Sequence, residues 1–181
     1  MTKAVRGDGV VLRPFREEEA EQVWATYRDG NDGFWPHPER PSREEILERV
    51  GRSGTFQAGM LDLAIDVDGR LVGQVQARRP AGALPPGVFD LGIVIYRRDD
   101  RGKGYGTEAI RLMTEHAFRE LGAHRLQLTT EVSNVAMSAA AERAGFAREG
   151  VLRGFMPAQD SELDYSIYGI TREDWTGRTW T

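Results

Sequence analysis

Apolar positions along the chain switch between a period of two and a period of three to four, and the switches mark out its elements. VVLRPF predicts a first strand. In REEEAEQVWATYR, which follows, Ala20, Val23, Trp24 and Tyr27 stand at i, i+3, i+4 and i+7, the spacing of one helix face. PSREEILERV announces a second helix: Ser42 and Glu45 form the two halves of a capping box, and Ile46, Leu47 and Val50 supply the apolar side. Past the glycines between Gly51 and Gly54, MLDLAIDV and RLVGQVQA read as two strands. They join at Asp68-Gly69, a dipeptide suited to the left-handed backbone of a tight hairpin.

Pro80, Pro85 and Pro86 then mark a loop, and the largely apolar VFDLGIVIY reads as a strand covered on both faces. The helix after it carries Ile110, Met113, Ala117 and Leu121 on one side and Glu108, Arg111, Glu115 and Arg119 on the other. HRLQLTTEV is a further strand. NVAMSAAAERAGF is a short Ala-rich helix that stops at Gly145, a suitable left-handed C-terminal residue. SELDYSIYGI alternates as a late strand, and TREDWTGRTWT is expected to fray. No repeat, low-complexity tract or linker interrupts the pattern, so one α/β domain is expected over residues 1–181.

Composition changes this picture mainly by exclusion. No apolar run approaches a membrane span, and MTKAVRGDGVVLRPF lacks the hydrophobic segment of a secretory signal, so neither a membrane nor export is expected. With no cysteine the chain has no disulfide, no thiolate metal site and no thioester on its own sulfur, in keeping with the cytoplasm. His37, His116 and His124 show no ligand spacing, which argues against a metal. A net charge of −4, with basic residues scattered among acidic ones, argues against nucleic acid and suits a cationic small molecule or peptide.

The candidate chemistry lies in RRDDRGKGYGTEAIRLMTEHAF, where Gly102, Gly104 and Gly106 stand between a strand and a helix. Such a turn lets several N–H groups converge on one point, to which the helix N-terminus adds partial positive charge, and that combination binds phosphate. Dinucleotide and Walker patterns do not fit: Thr107 stands where the first needs glycine, and no Gly-Lys-Ser/Thr closes the second. The glycines alone are equally compatible with a flexible loop ended by a helix cap.

Arg101-Gly102-Lys103-Gly104-Tyr105-Gly106, placed after DLGIVIY and opening a helix, resembles the R/Q-x-x-G-x-G/A motif of the GNAT superfamily of N-acetyltransferases. RLQLTTEVSNVAMSAAAERAGFAREG is similar to the family's strand, asparagine, short helix and Gly-Phe ending. LRPFREEEAEQV and DYSIYGITREDW resemble the ribosomal-protein N-terminal acetyltransferase branch, the RimJ and RimL type. The resemblance implies an α/β (α+β) fold with a single twisted, mixed but mostly antiparallel sheet of six to seven strands, helices on both faces, and a central splay between two parallel strands.

It also implies acetyl-CoA as acyl donor, no metal, and roles residue by residue. The pyrophosphate would lie on the N–H groups of Gly102, Lys103, Gly104, Tyr105, Gly106 and Thr107, with Arg101 at the motif's first position. Lys103 is either a rim charge or simply solvated. Ile93, Val94 and Ile95 would offer main-chain groups to the pantetheine arm, and an N–H of this strand would stabilise the developing oxyanion. Asn134 would bond the same arm, a role compatible with capping the short helix.

Direct transfer needs a neutral amine, whose free pKa is about 8 at an N-terminus and about 10.4 on lysine, so a base is useful. Asp90 is the leading candidate. Alternation puts it on one face of its strand with Gly92 and Val94, where desolvation would raise its pKa; the alternative is an ordinary solvated carboxylate. Glu131 and Asp164 compete with it. The family's tyrosine acid is replaced by Ala141, and the branch's serine by Met137 with Ser138 displaced by one, which leaves Tyr168 or a water as acid.

Phe34, Trp35 and His37 would wall the acceptor site, although Phe34 and Trp35 serve equally well as a core plug. The acceptor is a primary amine, either a protein or peptide N-terminus or a small molecule. A non-catalytic acyl-CoA-binding module is the alternative, and dimerisation is left open.

Overall fold

The computed structural model describes residues 2–28, 41–79, 82–158 and 161–177. Eight strands form one sheet, β1 (Val5–Arg6), β2 (Val11–Arg13), β3 (Met60–Val67), β4 (Arg70–Arg78), β5 (Val88–Ile95), β6 (Arg125–Glu131), β7 (Ala147–Pro157) and β8 (Glu162–Thr171), in the order β1-β2-β3-β4-β5-β6-β8-β7. The helices are α1 (Ala20–Arg28), α2 (Arg43–Gly51), α3 (Tyr105–Glu120), α4 (Val135–Arg143) and α5 (Arg172–Thr176). All pairings are antiparallel except β5 with β6.

The two faces of the sheet bury different clusters. Phe89 and Leu91 of β5 and Leu126 and Leu128 of β6 pack with Ile110, Met113, Ala117 and Phe118 of α3. On the other face, Ala64, Leu71 and Tyr96 pack with Val23 and Tyr27 of α1 and Ile46 and Val50 of α2. The capping box at Ser42 and Glu45 forms as expected, each side chain bonding the other residue's backbone N–H. Asp68 and Gly69 both take positive φ, 52° and 80°, and turn the β3–β4 hairpin. At the end of α4, Gly145 has φ 95°, Gly145 N–H donates to the Glu142 carbonyl and Phe146 N–H to the Ala141 carbonyl, closing a Schellman motif.

Four expectations need correction. Eight strands replace six or seven, because β1 is only two residues long and β7 carries no readable alternation. β7 is an exposed edge strand whose pairing to β8 shifts register twice, between Arg148 and Gly150 and between Leu152 and Met156. Leu47 is 40% exposed rather than core. The first turn after β8 does not fray: Thr171 and Asp174 form a capping box, and Trp175 packs on Phe118 with ring centroids 5.5 Å apart. Finally, β5 is fully covered only at its start. Val88, Phe89 and Leu91 are buried, whereas residues 92–95 are half-exposed, and that difference makes the site.

Candidate functional site

The half-exposure of β5 follows from its pairing. Strands β5 and β6 pair only through Val88↔Arg125, Phe89↔Leu126 and Asp90↔Gln127. Beyond Asp90, β5 continues on β4 as far as Ile95, while β6 continues on β8 as far as Glu131. The two strands therefore diverge, and residues 91–95 and 128–131 face each other across a gap with no strand between them. Backbone N–H and C=O groups along such edges need partners, so the gap suits an extended chain carrying amide groups.

At its open end the gap meets the turn that begins α3. Gly102 and Gly104 have φ of 74° and 87°, a left-handed backbone that strains any L side chain, and Gly104 is the N-terminal cap of the helix. The first helical bond runs from Glu108 N–H to the Gly104 carbonyl, so the N–H groups of Tyr105, Gly106 and Thr107 lie ahead of the helix's own acceptors. They point outward at the positive end of a 16-residue helix. A β-carbon on Gly106 would stand 3.8 Å from Ile93 Cδ1 and 3.9 Å from Ile95 Cγ1, which puts this turn directly over the splayed half of β5.

Arg101 and Lys103 are exposed but not idle. Arg101 Nε donates to the Ile95 carbonyl at 3.3 Å, and Lys103 Nζ lies 3.7 Å from Asp100 Oδ1. Asp100 itself, only 4% exposed, was not singled out from sequence. It ends the 3-10 turn Arg98–Asp100 and takes a bidentate pair from Arg70 on β4, with bonds of 2.7 and 2.8 Å. The hydrogen bonds from Arg70 hold its carboxyl below the usual range. This fork fixes the glycine turn to the sheet. No sequence signal separates Asp100 from its neighbour Asp99, which is exposed.

On the face covered by α1 and α2, Asp90 stands at the point where β5 and β6 part. Burial raises its pKa, and the charge and hydrogen bond of Arg78, its cross-strand neighbour on β4, oppose the rise. Gln127, Thr129 and Glu131 alternate along the facing strand on the same side as Asp90. Asn134 caps α4 through Oδ1, which accepts from Met137 N–H at 3.0 Å, leaving its side-chain amide donors for another partner.

The other named residues scatter. Glu131 Oε1 accepts from the Ser133 hydroxyl. Ser138 is half-buried on α4, and its N–H donates to the Asn134 carbonyl. Tyr168 is 2% exposed within the apolar cluster under α3 and α4, on the opposite face from Asp90. Asp164 is exposed, and its Oδ1 accepts from Gly154 N–H on β7 at 2.8 Å. Ala141 is fully buried in the same cluster as Tyr168, with Met137 packed against it. Phe34, Trp35 and His37 lie outside the described residues. Among the described residues no group of three or more His, Asp or Glu could hold a metal, and no helix is long and apolar enough to cross a membrane.

Known proteins match this architecture. The acetyltransferase (GNAT) domain family matches residues 10–147. The probable N-acetyltransferase YjcK of Bacillus subtilis is 25% identical over 184 residues, covering 94% of this chain and 98% of its own. Mycobacterium smegmatis RimJ, solved with CoA-disulfide, superimposes with a TM-score of 0.76 at 22% identity, over 91% of this chain and 83% of its own. RimL, a ribosomal L7/L12 alpha-N-protein acetyltransferase solved with coenzyme A, superimposes with a TM-score of 0.78 at 16% identity, over 93% and 98%.

Proposed function

The chain belongs to the GNAT family of acetyltransferases, acetyl-CoA-dependent enzymes that acetylate amines, and we propose that its transfer runs across the splay between β5 and β6 with Asp90 as general base. The observation that carries this reading is the edge of residues 91–95 that β6 no longer pairs, which leads from the carboxylate of Asp90 to the N-terminus of α3.

The residues present fit the donor. Residues 102–107 offer backbone N–H groups and the positive helix end to a pyrophosphate. The edge of β5 offers the main-chain groups of Ile93 to an amide-bearing arm, while the Ile95 carbonyl accepts from Arg101 and the Val94 carbonyl is turned toward Gly73 of β4; Asn134, its Oδ1 engaged in the helix cap, has amide donors left to offer. When bound, acetyl-CoA supplies a thioester carbonyl that an amine attacks, the C–N bond forming as the C–S bond breaks.

Asp90 then has one task, to take the proton that the acceptor ammonium must lose before its lone pair can react. Its raised pKa brings it closer to that of an amine than a solvated carboxylate would be, and Arg78 keeps it ionised for the task. The thiol leaves with a pKa of about 8.5 and needs no dedicated acid. That accounts for a chain with Ala141 in the core where relatives place a tyrosine.

The acceptor is a primary amine on a peptide N-terminus or a small molecule. A net charge of −4 favours a cationic acceptor, and the RimL likeness favours a peptide. Amine-dependent release of CoA thiol, followed with a thiol reagent across peptides and polyamines, tests the reading. Binding of acetyl-CoA with no release on any amine would assign a non-catalytic role instead.

A further inference from the structure

On the α1/α2 face, Asp62 of β3, Gln76 of β4 and Gly92 of β5 form a single cross-strand rung that ends at the splay. Asp62 is 3% exposed and Gln76 8%. Gln76 Nε2 donates to Asp62 Oδ1 at 2.6 Å, and Arg49 Nη2 donates to the same oxygen at 2.9 Å. A carboxylate only accepts, so the amide of Gln76 must present its NH2 to Asp62. Its carbonyl oxygen is thereby turned the other way, toward Gly92. A β-carbon on Gly92 would lie 3.3 Å from Gln76 Oε1 and 3.4 Å from Arg78 Nη2, the guanidinium that pairs with Asp90.

The place of a side chain at Gly92 is therefore closely lined by protein atoms, the oriented acceptor Gln76 Oε1 and the Arg78 guanidinium that pairs with Asp90, and a β-carbon there would press on both. Its backbone carries no positive φ that would demand glycine. Glycine here makes room for the Gln76 and Arg78 side chains.

We propose that the acceptor nitrogen docks beside Gly92 and that Gln76 positions it: Oε1 accepts one N–H of the amine while Asp90 takes the proton that is lost. The proposal rests on the function argued above and adds to it the group that aims the nucleophile. Three features serve it. A buried carboxylate and Arg49 lock the amide in one orientation, the acceptor is neutral and so does not compete with Asp90 for the proton, and glycine at residue 92 leaves room for Gln76 Oε1 and the Arg78–Asp90 pair together at the transfer strand. Asp62 acts only through Gln76, as a positioning residue.

The test uses the full chain and the best acceptor from a panel of glycinamide, spermidine and short peptides with free N-termini. In Gln76→Leu, kcat/KM for the amine is expected to fall about tenfold or more, the value of one lost hydrogen bond to a charged or ionising group, while acetyl-CoA affinity by calorimetry stays within about twofold. Gly92→Ala, whose β-carbon would press on Gln76 Oε1 and the Arg78 guanidinium, should show the same split with the amine KM carrying the loss, and it decides the matter if Gln76→Leu fails to fold. An unchanged amine kcat/KM in the folded variants overturns the proposal, and so does a parallel loss of acetyl-CoA affinity, which would mark Gln76 as a structural residue. No thiol release by the unsubstituted protein would overturn the enzymatic reading and this inference together, whereas activity that is insensitive to both substitutions removes this inference alone.

Discussion

The carbonyl oxygen of Val94 would clash with a β-carbon on Gly73, and the Val94 carbonyl carbon and Ile95 Cα would lie 3.1 and 3.2 Å from it. These are backbone atoms and cannot swing away. β4 thus comes against β5 at Val94 and Ile95, in the half of β5 that has left β6, and the position of the free edge depends on this approach. Gly73→Ala must push β5 toward the gap. The expected result is a folded protein of lower melting temperature whose acetyl-CoA affinity drops about tenfold, measured by calorimetry and a thermal melt.

Asp90→Asn keeps the shape of the side chain and removes its basicity. Turnover should fall by about 10² to 10⁴ while acetyl-CoA affinity is retained, because the carboxylate lies on the α1/α2 face of the sheet, away from the turn at α3. Loss of both would mean that the substitution disturbs the sheet and would leave the base unidentified.

The pH profile should respond to Arg78. Burial raises the pKa of Asp90, and Arg78 restrains the rise. The base works only when ionised, so activity falls as pH drops through that raised value. Arg78→Met removes the restraint, raises the Asp90 pKa further and moves the acidic limb of kcat/KM to higher pH. A limb that stays in place or moves down would contradict the assignment.

Asp100 is lowered by its bonds to Arg70, so its contribution to stability is present above the unfolded carboxylate pKa of about 3.9 and disappears as pH falls through the lower folded value. Asp100→Asn removes the ionic fork that seats the glycine turn. Acetyl-CoA affinity should weaken by about threefold to tenfold at neutral pH, and the acid unfolding midpoint should shift upward, followed by circular dichroism.

Much of this arrangement was legible in the sequence, and the reason is local. Capping pairs such as Ser42 with Glu45, the Asp68-Gly69 turn and the Gly145 stop depend on a few adjacent residues, and each formed as read. The glycine turn was readable for the same reason. What escaped was whatever depends on partners far along the chain. β7 carries two glycines and two shifts of register on an edge, so its strand character exists only through β8. Asp100 looks like Asp99 until Arg70, 30 residues earlier, is placed against it. VFDLGIVIY reads as a strand covered throughout because its composition is uniform, yet half of it lies bare where β6 turns away, and pairing alone determines that. The orientation of Gln76 likewise follows from Asp62, which no spacing rule connects to it.

The most direct measurement is a calorimetric titration of acetyl-CoA into the unsubstituted protein and into Gly104→Val, which forces a β-branched side chain into a left-handed position at φ 87°. The account expects saturable one-to-one binding to the first and an affinity about fivefold to thirtyfold weaker in the second, from about 1–2 kcal/mol of strain in the turn. No heat from the unsubstituted protein, or equal affinity in both, would contradict the claim that this turn holds the cofactor.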